Sequence, residues 1–201
     1  MALKRYNRLD PLLTHVWDQI CHGANHPGHP YHSPTFGSIG AGGPNLRTVV
    51  LRAVDVSARA LLLHSDRRAP KIQEVDQDAR VTWHFWNPEQ REQLRLRGTA
   101  TLHFEDAIAN QLWQNSSPQS LKLYTKSQAP GTQVTDPQSG LPQHIEADTF
   151  SSEDLSVGRQ YFAAIRTTIN VVDVLHLREE GNYRASFEWE NEQMTSSWIL
   201  P

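Results

Sequence analysis

"RTVVLRAVDVSARALLLHSDRRAPK", residues 47–71, decides how this chain is read. A β-branched run over 47–55 predicts a strand, and "RALLLHS", 59–65, predicts its return, with "DVSAR", 55–59, as the turn. The chain then changes from apolar to basic within a few positions. Arg67, Arg68 and Lys71 flank Pro70, which is suited to the first position of a helix over 70–78. Ala69 before it has no side-chain oxygen to cap the first backbone N–H groups. An open helix start beside Ser65, Arg67, Arg68 and Lys71 is a natural anion site. The alternative is a solvated turn whose cations pair with Asp66 or Glu74.

Outward from this stretch, the same hairpin grammar continues. "ARVTWHFW", 79–86, alternates as a third strand, with Trp83 and Phe85 on one face and His84 and Trp86 on the other, and its aromatics read as core packing rather than a stacking platform. "QLRLRGTATLHF", 93–104, is the clearest strand, with "NPEQRE" as the turn before it. A helix follows over 105–117, then a helical turn or two, then a polar, irregular insert over 126–159. Residues 161–177 and 183–190 are further strands, and "TSSWILP", 195–201, closes the pattern. Upstream, 9–21 predicts an amphipathic helix, with Asp10 as cap, Pro11 at the first position, and Leu12, Leu13, Val16, Trp17 and Ile20 inward. Residues 22–45 read as a long loop. Six or so strands joined mainly by hairpins predict a mainly β (α+β) fold, an antiparallel barrel with flanking helices, as one domain over 1–201. Its N-terminal helix and loop occupy 1–45.

Composition narrows the function. The chain has 201 residues, 38% apolar and 20% charged, with a formal net charge of −3. That charge does not suit a nucleic-acid binder. Residues 47–97 nevertheless carry ten Lys and Arg against seven Asp and Glu, while 98–201 carry six against thirteen. A local basic patch in an acidic chain suits a small anionic ligand. No apolar run approaches a membrane span, and the N-terminus shows no secretory signal. The single cysteine, Cys21, excludes an internal disulfide and fits a reducing compartment, so the expected location is the cytoplasm. "CHGANHPGHPYH", 21–32, gathers Cys21, His22, His26, His29 and His32. It matches no established ligand pattern, so no metal is assigned. It is read as a loop on the active-site side of the barrel, where a histidine could touch substrate.

Arg47 and Arg52 lie on the strand before the basic turn, and Gln93 opens a later strand, so cations and an amide can converge on one ligand. Here "RTVVLR" (47–52), "HSDRRAPK" (64–71), "WNPEQREQLRLRG" (86–98) and "NYRASFEW…SSWILP" resemble the pyridoxamine 5'-phosphate oxidase-like FMN-binding split-barrel flavoproteins. The resemblance runs from about residue 45 to the C-terminus. It implies FMN as cofactor, bound at the interface of a homodimer. Lys71 and Ser65, helped by Arg67 or Arg68, would bind the phosphate. Arg47 and Arg52 would contact the flavin or its ribityl chain, His64 would stand beside it, and Gln93 would bond the ring edge. Arg184 would approach from the partner subunit. The chain departs from the family at Pro70, where an arginine is usual, and at Ser117, Leu175 and Glu180–Gly181–Asn182, where the vitamin-B6 oxidase has an arginine, a tryptophan and Arg-Leu-His. The resemblance therefore implies an FMN-dependent oxidoreductase of unidentified substrate, with no catalytic residue assigned. A non-catalytic flavin or haem binder is the alternative, and a true pyridoxamine-phosphate oxidase the lesser one.

Overall fold

The computed structural model describes residues 5–201. Residues 1–4, where the N-terminal extension begins, lie outside the described residues. Among the described residues, nine strands form one antiparallel sheet, and helices flank it. The path runs β2 (Gly43–Thr48), β1 (Thr35–Gly40), β5 (Arg80–Asn87), β6 (Glu92–His103), β7 (Phe162–His176), β4 (Ala60–Asp66) and β3 (Ala53–Asp55). β8 (Tyr183–Glu190) pairs with β7 and with β9 (Gln193–Ile199). β7 organises the fold. Its first half lies beside β4, its second half beside β8, and β6 runs along both. The register shifts between Arg97 and Gly98. A Cβ at Gly98 would sit 2.1 Å from the Thr168 carbonyl oxygen, so only glycine allows this approach of β6 to β7.

The alternation in 79–104 holds. Trp83 and Phe85 are buried with Leu94 and Leu96, and Trp86 is exposed. Trp83 donates its indole N–H to Thr167 Oγ1 at 3.1 Å, which satisfies the one polar atom of a buried ring. Helix α1 (Leu9–Asn25) buries Leu12, Val16, Trp17 and Ile20 as its spacing predicts. It begins at Leu9, inside the expected span, and ends later than expected. Arg8 takes the N-cap position, so Asp10 and Pro11 lie within the first turn and Asp10 does not cap.

Two expectations are corrected. Residues 22–45 are not a loop. They contain the end of α1, a 3-10 turn at Pro30–His32, β1 and the first half of β2. β2 is an edge strand, so Pro44 costs no ladder bond, and Gly43 takes the positive φ of 116° that the hairpin turn needs. The run 47–55 is likewise not one strand. Leu51 N–H donates to the His32 carbonyl and Arg52 N–H to the Leu62 carbonyl, both at 2.9 Å. The chain thus leaves the β1 side for β4 between Thr48 and Ala53. The 55–59 turn lacks glycine, but Asp55 accepts from Ser57 Oγ and Ala58 N–H, and Arg59 takes φ 49°.

Beyond β6 come α3 (Ala107–Gln114), α4 (Pro118–Leu121), α5 (Gln143–Glu146) and α6 (Ser152–Ser156). The last two are short turns in the otherwise irregular 126–159 segment. Among the described residues no helix is long and apolar enough to cross a membrane.

Candidate functional site

The basic turn folds as its sequence suggests. Pro70 opens helix α2 (Pro70–Gln77), and Ala69 at the N-cap gives no side-chain bond. Lys71 projects from the first turn, and its Nζ donates to Ser65 Oγ at 3.2 Å. Ser65 is buried at the end of β4. Burial, then the nearby Arg47 charge, push the Lys71 ammonium below its usual pKa. Lys71 makes no ion pair among the described residues, although Glu74 is one helical turn away. Glu74 is spent elsewhere. It accepts from Arg47 Nη2 at 2.8 Å, Asn45 Nδ2 at 2.8 Å and Ser38 Oγ at 2.5 Å. Burial would raise its pKa, but the bonds from Ser38 and Arg47 lower it. Arg47 thus reaches this corner through Glu74 and Ser38, beside Lys71.

The other cations of the turn have partners. Arg68 forms a two-pronged pair with Asp66, stacks 3.5 Å from the Tyr161 ring centroid, and donates to the carbonyls of Lys126 and Ser127. It fastens the 126–159 segment to the barrel. Arg67 pairs with exposed Glu105 at 3.4 Å. Two of the turn's three cations are therefore ion-paired among the described residues, and Lys71 is the one that is not.

His64, next to Ser65 on β4, points to the opposite face, and the Arg52 charge acts on it. His64 packs edge-on against Phe162, and neither ring nitrogen has a partner. Burial, then the Arg52 charge, lower its pKa to about 3, so it is a neutral imidazole.

Gln93 and Arg184 form a second, separate group. Gln93, Leu175 and Arg184 stand side by side across β6, β7 and β8. Arg184 Nε and Nη2 donate to Asp173 at 3.0 and 2.5 Å, and Arg95 Nη2 donates to the same carboxylate at 2.7 Å. Burial would raise the Asp173 pKa, and these two arginines lower it. Ser65 pairs with Ala163 on β7 and Gln93 with Leu175, twelve residues further on. That separation is up to about 40 Å of extended strand.

The sequence reading missed what lies on the next rung. Glu92, His176 and Tyr183 face one another on the inner side of the same three strands. Glu92 is 0% exposed. It accepts from Tyr31 Oη at 2.5 Å, His176 Nε2 at 2.5 Å and His15 Nε2 at 3.2 Å. The Tyr183 hydroxyl bonds His176 Nδ1. Burial alone would raise the Glu92 pKa, and the bonds from His15, His176 and Tyr31 pull it down to about 2. A signal was present: Glu92 shares the parity of Leu94 and Leu96, which points it inward. Of the histidine-rich segment, His22 and His26 stack at 3.8 Å and His29 meets His22 edge-on. No group of three metal-ligating side chains with metal-site geometry occurs among the described residues.

Residues 14–104 match the family model for the pyridoxamine 5'-phosphate oxidase FMN-binding domain. This is the family that the motifs at 47–98 resemble, and its domain is one that binds FMN. A pyridoxamine 5'-phosphate oxidase-related, FMN binding protein from Nostoc punctiforme aligns over 100% of both chains at 21% identity, with a TM-score of 0.73. PhzG from Burkholderia lata, solved with tetrahydrophenazine-1-carboxylic acid, aligns over 96% of this chain and 92% of its own, at 15% identity and a TM-score of 0.71. These likenesses establish the split-barrel fold. No curated protein matches the chain.

Proposed function

We propose that this chain, which carries a pyridoxamine 5'-phosphate oxidase-type FMN-binding domain, is an FMN-dependent oxidoreductase that works as a homodimer. The observation that carries the reading is Lys71: a half-buried ammonium that forms no ion pair among the described residues, aimed at Ser65 beside an uncapped helix start. Asp66 and Glu74 offset part of its charge from nearby, but their carboxylates are bonded to Arg68 and Arg47, so a direct partner is left for a ligand to supply. A phosphate fits this place, because Lys71 Nζ, Ser65 Oγ and the α2 N–H groups are all donors. Each charge-assisted bond contributes roughly 1.5–3 kcal/mol.

Distance along the sheet supports the dimer reading. Gln93 and Arg184 suit the ring edge, yet they lie far along β7 from Ser65. Twelve residues of extended strand can exceed the length of one flavin mononucleotide, which favours a site shared between two copies. A second copy brings its own Gln93 and Arg184 to the first copy's phosphate cradle. When bound, FMN supplies two-electron redox chemistry. The protein's part is to anchor the phosphate, hold the ring edge through Gln93, and place the Arg184 cation where negative charge gathers. Asp173 keeps that guanidinium oriented. The vitamin-B6 reaction is not favoured, because Ser117 and Glu180–Gly181–Asn182 carry no cation for a substrate phosphate. A reducing cytoplasm suits the lone thiol of Cys21.

The test is a visible spectrum of the purified chain with added FMN, together with its mass in solution. Flavin bands that bleach with dithionite and return in air, at one FMN per chain in a dimer, are expected. A colourless protein that takes up no FMN overturns the reading.

A further inference from the structure

The outer face of the β5–β6–β7 sheet carries more positive charge than its acids balance. Thr82, Arg95, Arg97, Asp173 and Arg184 line a hollow of about 350 Å³ there. Asp173 is the one acid in it, and it is held by both Arg95 and Arg184. Arg97, directly opposite Thr82 in the register, makes no hydrogen bond or ion pair among the described residues. Three guanidinium groups therefore meet one carboxylate, an excess of two positive charges in a chain whose formal net charge is −3.

The hollow does not end there. Thr82 and Arg97 also line a second cleft of about 440 Å³. Its walls include Ile39, Leu46, Val81 and Val171, and Leu46 is 71% exposed. A cationic pocket thus opens into an apolar trough. Clefts of this size with few convergent polar groups are the usual form of small-molecule sites.

We propose that this face binds an organic anion: a carboxylate held by Arg97, Arg95 and Thr82, with an apolar, ring-sized body along Leu46, Val81 and Val171. Charge excess selects an anion, and the apolar trough selects an organic one over inorganic phosphate. The site shares no residue with Lys71 and Ser65, although the trough reaches toward their corner through Ser38, which lines it and bonds Arg47 and Glu74. Arg184 borders both this hollow and the Gln93 rung. On the flavin reading given above, the bound anion would therefore lie beside the ring edge, as a substrate does.

The experiment is calorimetric titration of the full chain, with and without saturating FMN. The probes are 2-naphthoate and the neutral 2-naphthalenemethanol, which share a ring system. The acid is expected to bind about tenfold or more tightly than the alcohol, as one charge-assisted contact requires. Arg97→Glu should abolish that preference and leave FMN uptake unchanged, while Lys71→Met should leave it intact. If the reversed charge prevents folding, Arg97→Gln reads the same loss. Equal binding of acid and alcohol, or a preference that survives both Arg97 variants, overturns the site. So does an Arg97→Glu protein that turns monomeric while its naphthoate binding is unchanged, because the arginine then serves a contact between copies. A chain that prefers naphthoate but takes up no FMN refutes the flavin reading and leaves this site standing.

Discussion

Glu92 is a fully buried charge at the start of a strand and Lys71 a half-buried one at the start of a helix, and the chain treats them oppositely. Glu92 is surrounded by donors from four parts of the chain: His15 on α1, Tyr31 on the 3-10 turn, His176 on β7 and, through His176, Tyr183 on β8. Lys71 has one neutral hydroxyl, and the acid nearest in sequence is bonded to other groups. A buried charge with every bond made is a fastening. A buried charge with bonds unmade is a binding site. The difference separates the part of the molecule that holds its shape from the part that waits for a ligand.

The comparison breaks most visibly at Glu92. Glu92→Ala leaves His176 and Tyr31 buried without their acceptor, so it should cost about 3–5 kcal/mol in denaturant unfolding. A cost below about 1 kcal/mol would mean that the hub does not fasten α1 to the barrel. The same carboxylate sets an acid limit. Its pKa falls from 4.5 to about 2 on folding. Its contribution is thus fully present above pH 4.5 and is lost as the pH drops through about 2. Glu92→Gln should flatten the stability-versus-pH curve in that window; an unchanged acid slope contradicts the assignment.

Lys71 should behave in the reverse sense. Its pKa is lowered on folding, so between the folded value and 10.5 the unfolded chain holds the extra proton. Stability of the FMN-free protein therefore rises with pH across that alkaline window, and Lys71→Met should lack the rise. A variant with the same alkaline slope as the parent would place the ammonium in water. The smallest effect belongs to Arg67. Its pair with Glu105 is exposed, so Arg67→Ala should change stability by about 0–1 kcal/mol and leave FMN affinity unaltered. A large loss of FMN affinity would instead return Arg67 to the phosphate site.

Local rules made part of this legible. The spacing of Leu12, Val16 and Ile20, the parity of Trp83 and Phe85, and Pro70 after Ala69 each specify a structure within a few residues. β1 and β2 were hidden because Gly37, Gly40, Gly43 and Pro44 read as loop, although an edge hairpin tolerates them. The break at 49–52 was hidden because a change of strand partner leaves no trace in a β-branched run. The site divided in the same way. Residue types pointed to Lys71 and Ser65, whose meeting needs only a strand, a turn and a helix start. The capture of Arg68 by Asp66 and the 126–127 carbonyls, and of Arg184 by Asp173, depends on which side chains the fold brings together. Glu74 could equally have paired with Lys71, and only the approach of β1 and β2 gives it Ser38, Asn45 and Arg47 instead.

The most direct measurement is FMN titration of the parent chain and of Lys71→Met, followed by flavin fluorescence, with circular dichroism as a check on folding. The account predicts that both fold alike and that the variant binds FMN about tenfold or more weakly, the loss of one charge-assisted phosphate contact. Equal affinity in a folded variant would contradict the assignment of Lys71 as the phosphate anchor.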